Sequence, residues 1–309
     1  MIKGAYSFGS IKVDLSKELE LSGKITFKDI YKKTGIKTIY RAGVKENTLT
    51  LALDASKKVL INIEEEIDSL IFVSQSHVSS IPSSGSILHE KLKLKKECYV
   101  LDVTQGCSGF PYAFITAINL IKNNEFKNCL IVCSETYTKY IKKNDRSTAP
   151  IFSDAASAFY INKKNLPSIL STFFYTDGSG EKNLCLKEDE KGDRNLYMNG
   201  TNVFTFTAEK VPFATNKILE KANLKIEEIK YFIFHQASSI VLTTIKDKLK
   251  IKNDLFFNDI EEFGNTVSST IPIALIQLEE KKILPKKQPV LIMGFGVGYS
   301  LCGGVFIFD

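Results

Sequence analysis

The sequence is poor in the residues that build metal sites and disulfide frameworks. It holds six cysteines and three histidines in 309 residues. No two cysteines have CxxC spacing and the three histidines do not cluster with them, which argues against a metal site. A chain this long and apolar does not need a disulfide framework, so a reducing, cytoplasmic setting is expected. The opening stretch Met1-Ile-Lys-Gly-Ala-Tyr-Ser7 has no apolar signal core. A membrane span is also missing. Val290 to Phe308 runs nineteen residues without a charge, but it carries Gly294, Gly296, Gly298, Gly303 and Gly304. Two buried strands joined by a glycine turn fit that stretch better than a lipid-facing helix. Basic stripes are absent as well. The net charge of +6 comes from lysines spread along the chain, with no aromatic-interleaved basic motif, so nucleic acid is not an expected partner.

What is present begins with Cys107, in Asp102-Val-Thr-Gln-Gly-Cys-Ser-Gly-Phe110. An apolar run precedes it and an apolar-periodic segment follows. That context reads as strand, tight glycine turn, helix. Unpaired N–H groups and the positive end of the helix dipole would meet the sulfur there and favour thiolate. A buried cysteine acting as a small apolar side chain is the plainer alternative.

The chain also repeats itself. Ile63 to Phe72, Gln75-Ser-His77 and Lys91 to Leu94 resemble Ile226 to Phe234, His235-Gln-Ala237 and Lys248 to Ile251. Each copy continues into an apolar segment with Asp102 or Asp259, then Gly106 or Gly264. An apolar helix follows, Ala113 to Ile121 or Ile271 to Leu278. A strand closes each unit, Cys129 to Ser134 or Val290 to Gly294. Repeats this long imply two copies of one α/β unit, with parallel strands covered by helices. The copies align Cys107 with Gly264-Asn265 at equivalent strand-to-helix turns. His235 ends the apolar run Phe232-Ile-Phe234, at a strand's carboxyl end, where open α/β sheets bind ligands.

Taken alone, His235 reads as a hydrogen-bonded structural histidine and Asn265 as a turn residue. Together with Cys107 they form a set. Gly106-Cys-Ser-Gly109, His235-Gln-Ala237 and Gly264-Asn-Thr266 resemble the Cys, His and Asn motifs of beta-ketoacyl-acyl carrier protein synthase III. Lys33-Thr-Gly-Ile36, Asn144-Asp-Arg146, Phe152-Ser-Asp154, Gly200 with Val203-Phe204, and Gly294-Phe-Gly-Val-Gly298 extend the resemblance along nearly the whole chain.

That resemblance implies an α/β thiolase fold, with duplicated βαβαβ halves in a five-layered α-β-α-β-α sandwich. The halves would be residues 1–162, with the nucleophile, and 163–309, with the histidine and asparagine. It implies a homodimer acting on acyl carrier protein or acyl-coenzyme A thioesters, with no cofactor. Cys107 would take an acyl group. His235 and Asn265 would stabilise the enolate formed when a malonyl thioester loses carbon dioxide. Backbone N–H groups of Cys107 and Val297 would form an oxyanion hole. Lys33, Arg146 and Phe295 are the candidate substrate-binding residues. An acyltransferase that moves the acyl group to a hydroxyl or amine is the alternative. Glu135, Asp154, His77 and His89 read as scaffold, and Cys129 and Cys133 as core. The departures concern substrate. The chain has no tryptophan, so Asp29 stands where the family's adenine-stacking residue falls. Lys33 replaces an arginine, and Ser238 and Ile240 replace an asparagine and an arginine. A specialised relative is therefore expected. The charged segment Leu184 to Asn195 reads as an exposed loop near the site entrance.

Overall fold

The computed structural model describes residues 2–20, 26–142, 145–296 and 298–309. The first half runs β1 (Lys3–Phe8), β2 (Ile11–Asp14), α1 (Leu15–Glu20), α2 (Phe27–Thr34), β3 (Thr38–Arg41), α3 (Thr48–Leu60), β4 (Ser69–Val73), α4 (Ser84–Lys91), β5 (Tyr99–Val103), α5 (Gly109–Lys122), β6 (Asn128–Glu135) and β7 (Ala155–Asn162). The second runs β8 (Ser168–Thr176), β9 (Leu184–Glu188), β10 (Arg194–Met198), α6 (Gly200–Ala222), β11 (Tyr231–Phe234), α7 (Ser239–Leu249), α8 (Ile260–Phe263), α9 (Thr270–Glu280), β12 (Pro289–Gly296) and β13 (Ser300–Ile307).

The duplication is visible strand by strand. The first sheet has the order β1-β7-β6-β4-β5 and the second β8-β13-β12-β11. Pairing directions also match: β4 with β6 and β11 with β12 are parallel, while β6 with β7 and β12 with β13 are antiparallel. The second copy's equivalent of β5 has shrunk to one parallel bridge, Phe232 with Phe256. The uncharged stretch after Val290 is the antiparallel pair β12 and β13, as its glycines suggest.

Helices α5 and α9 lie between the two sheets, and their burial explains their sequences. Every residue of α9 from Thr270 to Leu278 is buried, and α5 buries nine of its fourteen. A helix covered on all sides has no polar face to keep. Helices α3 and α4 cover the outer face of the first sheet, and α6 and α7 that of the second. Outer helices need explicit starts. Asn47 caps α3 by accepting from Thr50 N at 3.0 Å, and Thr50 Oγ1 takes Asn47 N at 2.8 Å, a reciprocal capping box.

The seam between the halves carries hydroxyls rather than an apolar core alone. Ser108 and Ser300 Oγ lie 2.8 Å apart, and Ser269 Oγ donates to Cys133 O at 3.0 Å. Among the described residues, no helix is long and apolar enough to cross a membrane.

The segment Leu184 to Asn195 is not a loop. It forms most of the β9–β10 hairpin, paired from Leu184 with Met198 to Arg194 with Glu188. Its charges occupy the exposed tip, while Leu184 and Leu196 are buried. Charge density masked the alternating apolar positions that hold the hairpin down.

Candidate active site

Cys107 sits in a single 3₁₀ turn, Gly106–Ser108, that runs directly into α5. Gly106 has φ +53°, and a Cβ there would overlap Gln75 Oε1, so a glycine is required on two counts. The end of β12 presses on the other side. A Cβ at Gly296 would lie 3.2 Å from Cys107 Sγ and 2.9 Å from its Cβ. The nucleophile candidate is 4% exposed. Burial raises its thiol pKa, and the Glu135 carboxylate raises it further. The helix end does not yield a resting thiolate, contrary to the sequence expectation, because desolvation outweighs it.

His235 follows β11, and its N–H extends the ladder to Met293 O at 3.0 Å. Its ring packs edge-on against Phe295, with centroids 5.4 Å apart. Burial pushes its imidazole down to about 3, so it is neutral at physiological pH. Nδ1 lies 2.7 Å from Thr270 Oγ1, which is itself 3.1 Å from Val267 O. A hydroxyl has one proton to give. If Thr270 donates to Val267, it accepts from Nδ1–H and Nε2 is bare. If it donates to Nδ1, Nε2 carries the hydrogen.

Asn265 is fixed on both sides. Its backbone bridges the Phe152 segment: Asn265 N donates to Ile151 O and Ser153 N to Asn265 O, both at 2.9 Å. Its Oδ1 accepts Val267 N at 2.9 Å, and Nδ2 donates to Ala237 O at 3.4 Å, next to the His235 segment. An amide whose oxygen is held by the backbone turns its NH₂ outward as a donor.

The end of β12 joins these residues: Gly296 abuts Cys107 while Phe295 abuts His235. Val267, two residues after Asn265, packs in the same buried cluster as Cys107.

Glu135 is the hub that sequence reading assigned only to scaffold. It ends β6, fully buried. It accepts from Gln75 N (3.1 Å), Ser76 N (3.1 Å) and Ser76 Oγ (2.6 Å) in the first half and from Ser268 Oγ (3.0 Å) in the second. Burial still pushes its carboxyl up to about 7. Asp154 is likewise a structural acceptor, of Ala42 N (2.8 Å) and Thr138 N (3.0 Å). His89 Nε2 lies 2.9 Å from Lys95 O, and His77 borders a cavity beside Gln75.

The remaining candidates sit on different elements. Lys33 is exposed in the last turn of α2, Arg146 is half-buried in the turns before Phe152, and Phe295 is buried against His235. Val297 lies outside the described residues. Thr270, Tyr137 and Gln75 were missed. Thr270 opens an apolar helix, and nothing in its local pattern points to a histidine thirty-five residues earlier.

A duplicated α/β sandwich with a buried cysteine just before α5, a buried histidine just after β11 and a buried asparagine between α8 and α9 fits a thiolase-fold condensing enzyme, an acyltransferase. The comparisons narrow this. Residues 101–178 match the family model of 3-oxoacyl-[acyl-carrier-protein] synthase III, and residues 219–307 match that of its C-terminal part. The chain is 31% identical over 301 residues to beta-ketoacyl-[acyl-carrier-protein] synthase III of Clostridium novyi, covering 93% of this chain and 91% of that one. It is 32% identical to the enzyme of that name from Clostridium acetobutylicum, covering 93% and 90%. Solved structures agree. The 3-oxoacyl-[acyl-carrier-protein] synthase III of Aquifex aeolicus superposes with TM-score 0.90 at 27% identity, covering 99% of both chains. A priming beta-ketosynthase of a polyketide pathway superposes at 0.89 with 26% identity, covering 99% and 95%. The chain belongs to the 3-oxoacyl-[acyl-carrier-protein] synthase III family, and it is a condensing acyltransferase of that type.

Proposed function

We propose that Cys107, His235 and Asn265 carry out a two-stage condensation on acyl and malonyl thioesters of acyl carrier protein or coenzyme A. In loading, Cys107 sulfur attacks the thioester carbonyl carbon. The tetrahedral intermediate collapses, the carrier thiolate leaves and takes up the cysteine proton, and the acyl group stays on sulfur. The N–H of Cys107 serves the oxyanion. In condensation, the malonyl carbon–carboxylate bond breaks and carbon dioxide departs. Its electron pair forms an enolate whose oxygen accepts from His235 Nε2–H and Asn265 Nδ2–H. The enolate carbon then attacks the acyl carbon and expels Cys107 thiolate, giving a beta-ketoacyl thioester.

The placement of buried His235 and Asn265 beside Cys107 carries this reading: β12 abuts Cys107 with Gly296 and His235 with Phe295, and Asn265 Nδ2 reaches the His235 segment. A neutral donor gains strength as charge grows on the enolate oxygen, so it favours the transition state over the ground state. Thr270 serves this stage when its hydroxyl donates to Nδ1 and leaves the hydrogen on Nε2. The transfer alternative needs no such pair of donors.

We take residues 1–162 and 163–309 as the two halves of the duplication, and the cell interior as the setting. We take the working form as a homodimer. Strand β5 ends the first sheet with one edge unpaired among the described residues, and Tyr99 on it is 39% exposed. An open edge with an apolar face suits pairing with a second copy.

The test is intact mass spectrometry of protein exposed to acyl thioesters, with carbon dioxide release from a malonyl carrier thioester measured in parallel. Cys107→Ala should lose the acyl adduct. Asn265→Ala should lose decarboxylation far more than loading. Equal loss of both steps overturns the role given to Asn265, and transfer to an alcohol or amine without malonyl donor supports the alternative. Light scattering at micromolar concentration checks the dimer, which a monomer mass would sink.

A further inference from the structure

Resting on the reading of Cys107 as acyl carrier and Asn265 as enolate donor, we propose that Glu135 is a positioning residue for the reaction: its carboxylate ties the turn that bears Cys107 to the turn that aims Asn265 and His235. Glu135 is the last residue of β6 and is fully buried. On the nucleophile side it accepts from Gln75 N and Ser76 N, both at 3.1 Å, and from Ser76 Oγ at 2.6 Å. Gln75 passes that hold onward. Its Nε2 donates to Thr104 O at 2.8 Å, and its Oε1 fills the space where a Cβ of Gly106 would sit. Gly106 is the residue before Cys107.

On the other side Glu135 accepts from Ser268 Oγ at 3.0 Å. Ser268 is the middle of a 3₁₀ turn, Val267–Ser269, that lies between the holds on the two enolate donors. Val267 N donates to Asn265 Oδ1 at 2.9 Å, and Thr270 Oγ1 lies 2.7 Å from His235 Nδ1. That turn does not hold itself. Val267 has φ +55°, a left-handed conformation that a β-branched residue disfavours. Strained residues of this kind persist only where their surroundings over-determine them. Ser268 Oγ to Glu135 and Ser269 Oγ to Cys133 O, both at 3.0 Å, pin the turn to β6. Losing the carboxylate therefore frees the Asn265 and His235 side of the site from the Cys107 side. The charge gives this link a pH-dependent readout. The ionisable groups that feel it are Cys107 in the turn before α5, Cys133 on β6, and Tyr137 and Tyr140 in the turn after β6. The Gln75–Ser76 and Ser268 sides offer it hydroxyls and N–H groups. Burial pushes the Glu135 carboxyl up to about 7, so its charge opposes the Cys107 thiolate above that pH and not below it.

The experiment pairs carbon dioxide release from malonyl-acyl carrier protein and malonyl-coenzyme A with iodoacetamide alkylation of Cys107. Alkylation is followed by peptide mass from about pH 5.5 to 8.5, on either side of the Glu135 transition. Ser268→Ala cuts the link and keeps the charge. Carbon dioxide release should fall about tenfold or more, with alkylation on the wild-type pH curve. Glu135→Gln removes the charge as well, and release should fall likewise. A more acidic thiol gives more thiolate but a weaker nucleophile, so alkylation of Glu135→Gln should exceed wild type roughly three- to tenfold at about pH 8.5 and match it at about pH 5.5. A residue that only supports the fold would, when lost, expose Cys107 equally at every pH. The serine variant holds the test open should the glutamine variant not fold. A ratio of alkylation rates that does not change with pH overturns the proposal, as does normal carbon dioxide release in Ser268→Ala. No release from folded wild type with either malonyl donor overturns the condensing reading instead, and the role of Glu135 falls with it.

Discussion

Removing the Thr270 hydroxyl tests how the fold aims His235. Nδ1 has Thr270 Oγ1 as its partner at 2.7 Å, and the ring is only 2% exposed, so water does not replace a lost hydroxyl. Thr270→Val keeps the shape and deletes the bond. Either neutral tautomer then leaves Nδ1 buried and unpaired, which costs about 1–3 kcal/mol. At 1.36 kcal/mol per tenfold this is roughly a 5–150-fold effect on the step that needs Nε2–H. Carbon dioxide release from a malonyl thioester should fall by about that factor. Acyl loading on Cys107 should fall less, and Thr270→Ser should stay within about threefold of wild type because it restores the hydroxyl. Imidazole nitrogen resonances of labelled protein report the tautomer directly, and the valine variant should change the Nδ1 signal where the serine variant does not. A valine variant that decarboxylates normally refutes the argument. So does a serine variant as slow as the valine.

Three further outcomes follow from the same geometry. His235 has its folded pKa pushed from 6.5 to about 3, so the unfolded chain binds a proton that the folded one refuses, and stability falls as pH drops below 6.5. Between pH 7.5 and 5 this amounts to about 2 kcal/mol, seen in urea unfolding as the extra pH dependence of wild type over His235→Asn; identical slopes contradict it. Glu135 and Asp259, both raised to about 7, act with the opposite sign, since stability falls as pH rises from 4.5 or 3.8 toward 7, and they are common to both proteins. Glu135→Gln replaces an acceptor of backbone and serine donors by a group with its own hydrogens, and should destabilise by about 1–3 kcal/mol in chemical denaturation; a neutral result removes Glu135 from the seam. Gly296→Ala places a methyl 3.2 Å from Cys107 Sγ and should slow acyl loading by about tenfold or more, with an unchanged circular dichroism spectrum; unaltered loading speaks against the close approach of β12.

Much of the architecture was legible because buried strands and all-round buried helices leave apolar runs that survive in a single sequence. Leu130-Ile-Val-Cys133 and Ile271 to Leu278 are such runs, and both lie where the duplication put them. The hairpin at Leu184 to Met198 was not legible, because its charged tip outweighed two buried leucines in the local count.

The sequence by itself determined the α/β class, the duplication and the three polar candidates Cys107, His235 and Asn265, since each is written in local periodicity or in motif spacing; it did not show that a short helix, α8, rather than a strand precedes Asn265. Only the tertiary structure decided how those residues are held. Burial keeps the thiol protonated and the imidazole neutral. Thr270 reaches His235 from another element, Glu135 ties the two halves, and the Tyr137 hydroxyl donates to Gln75. Each of these depends on desolvation or on a hydrogen bond between residues far apart in the chain. Neither is a property of any segment read alone.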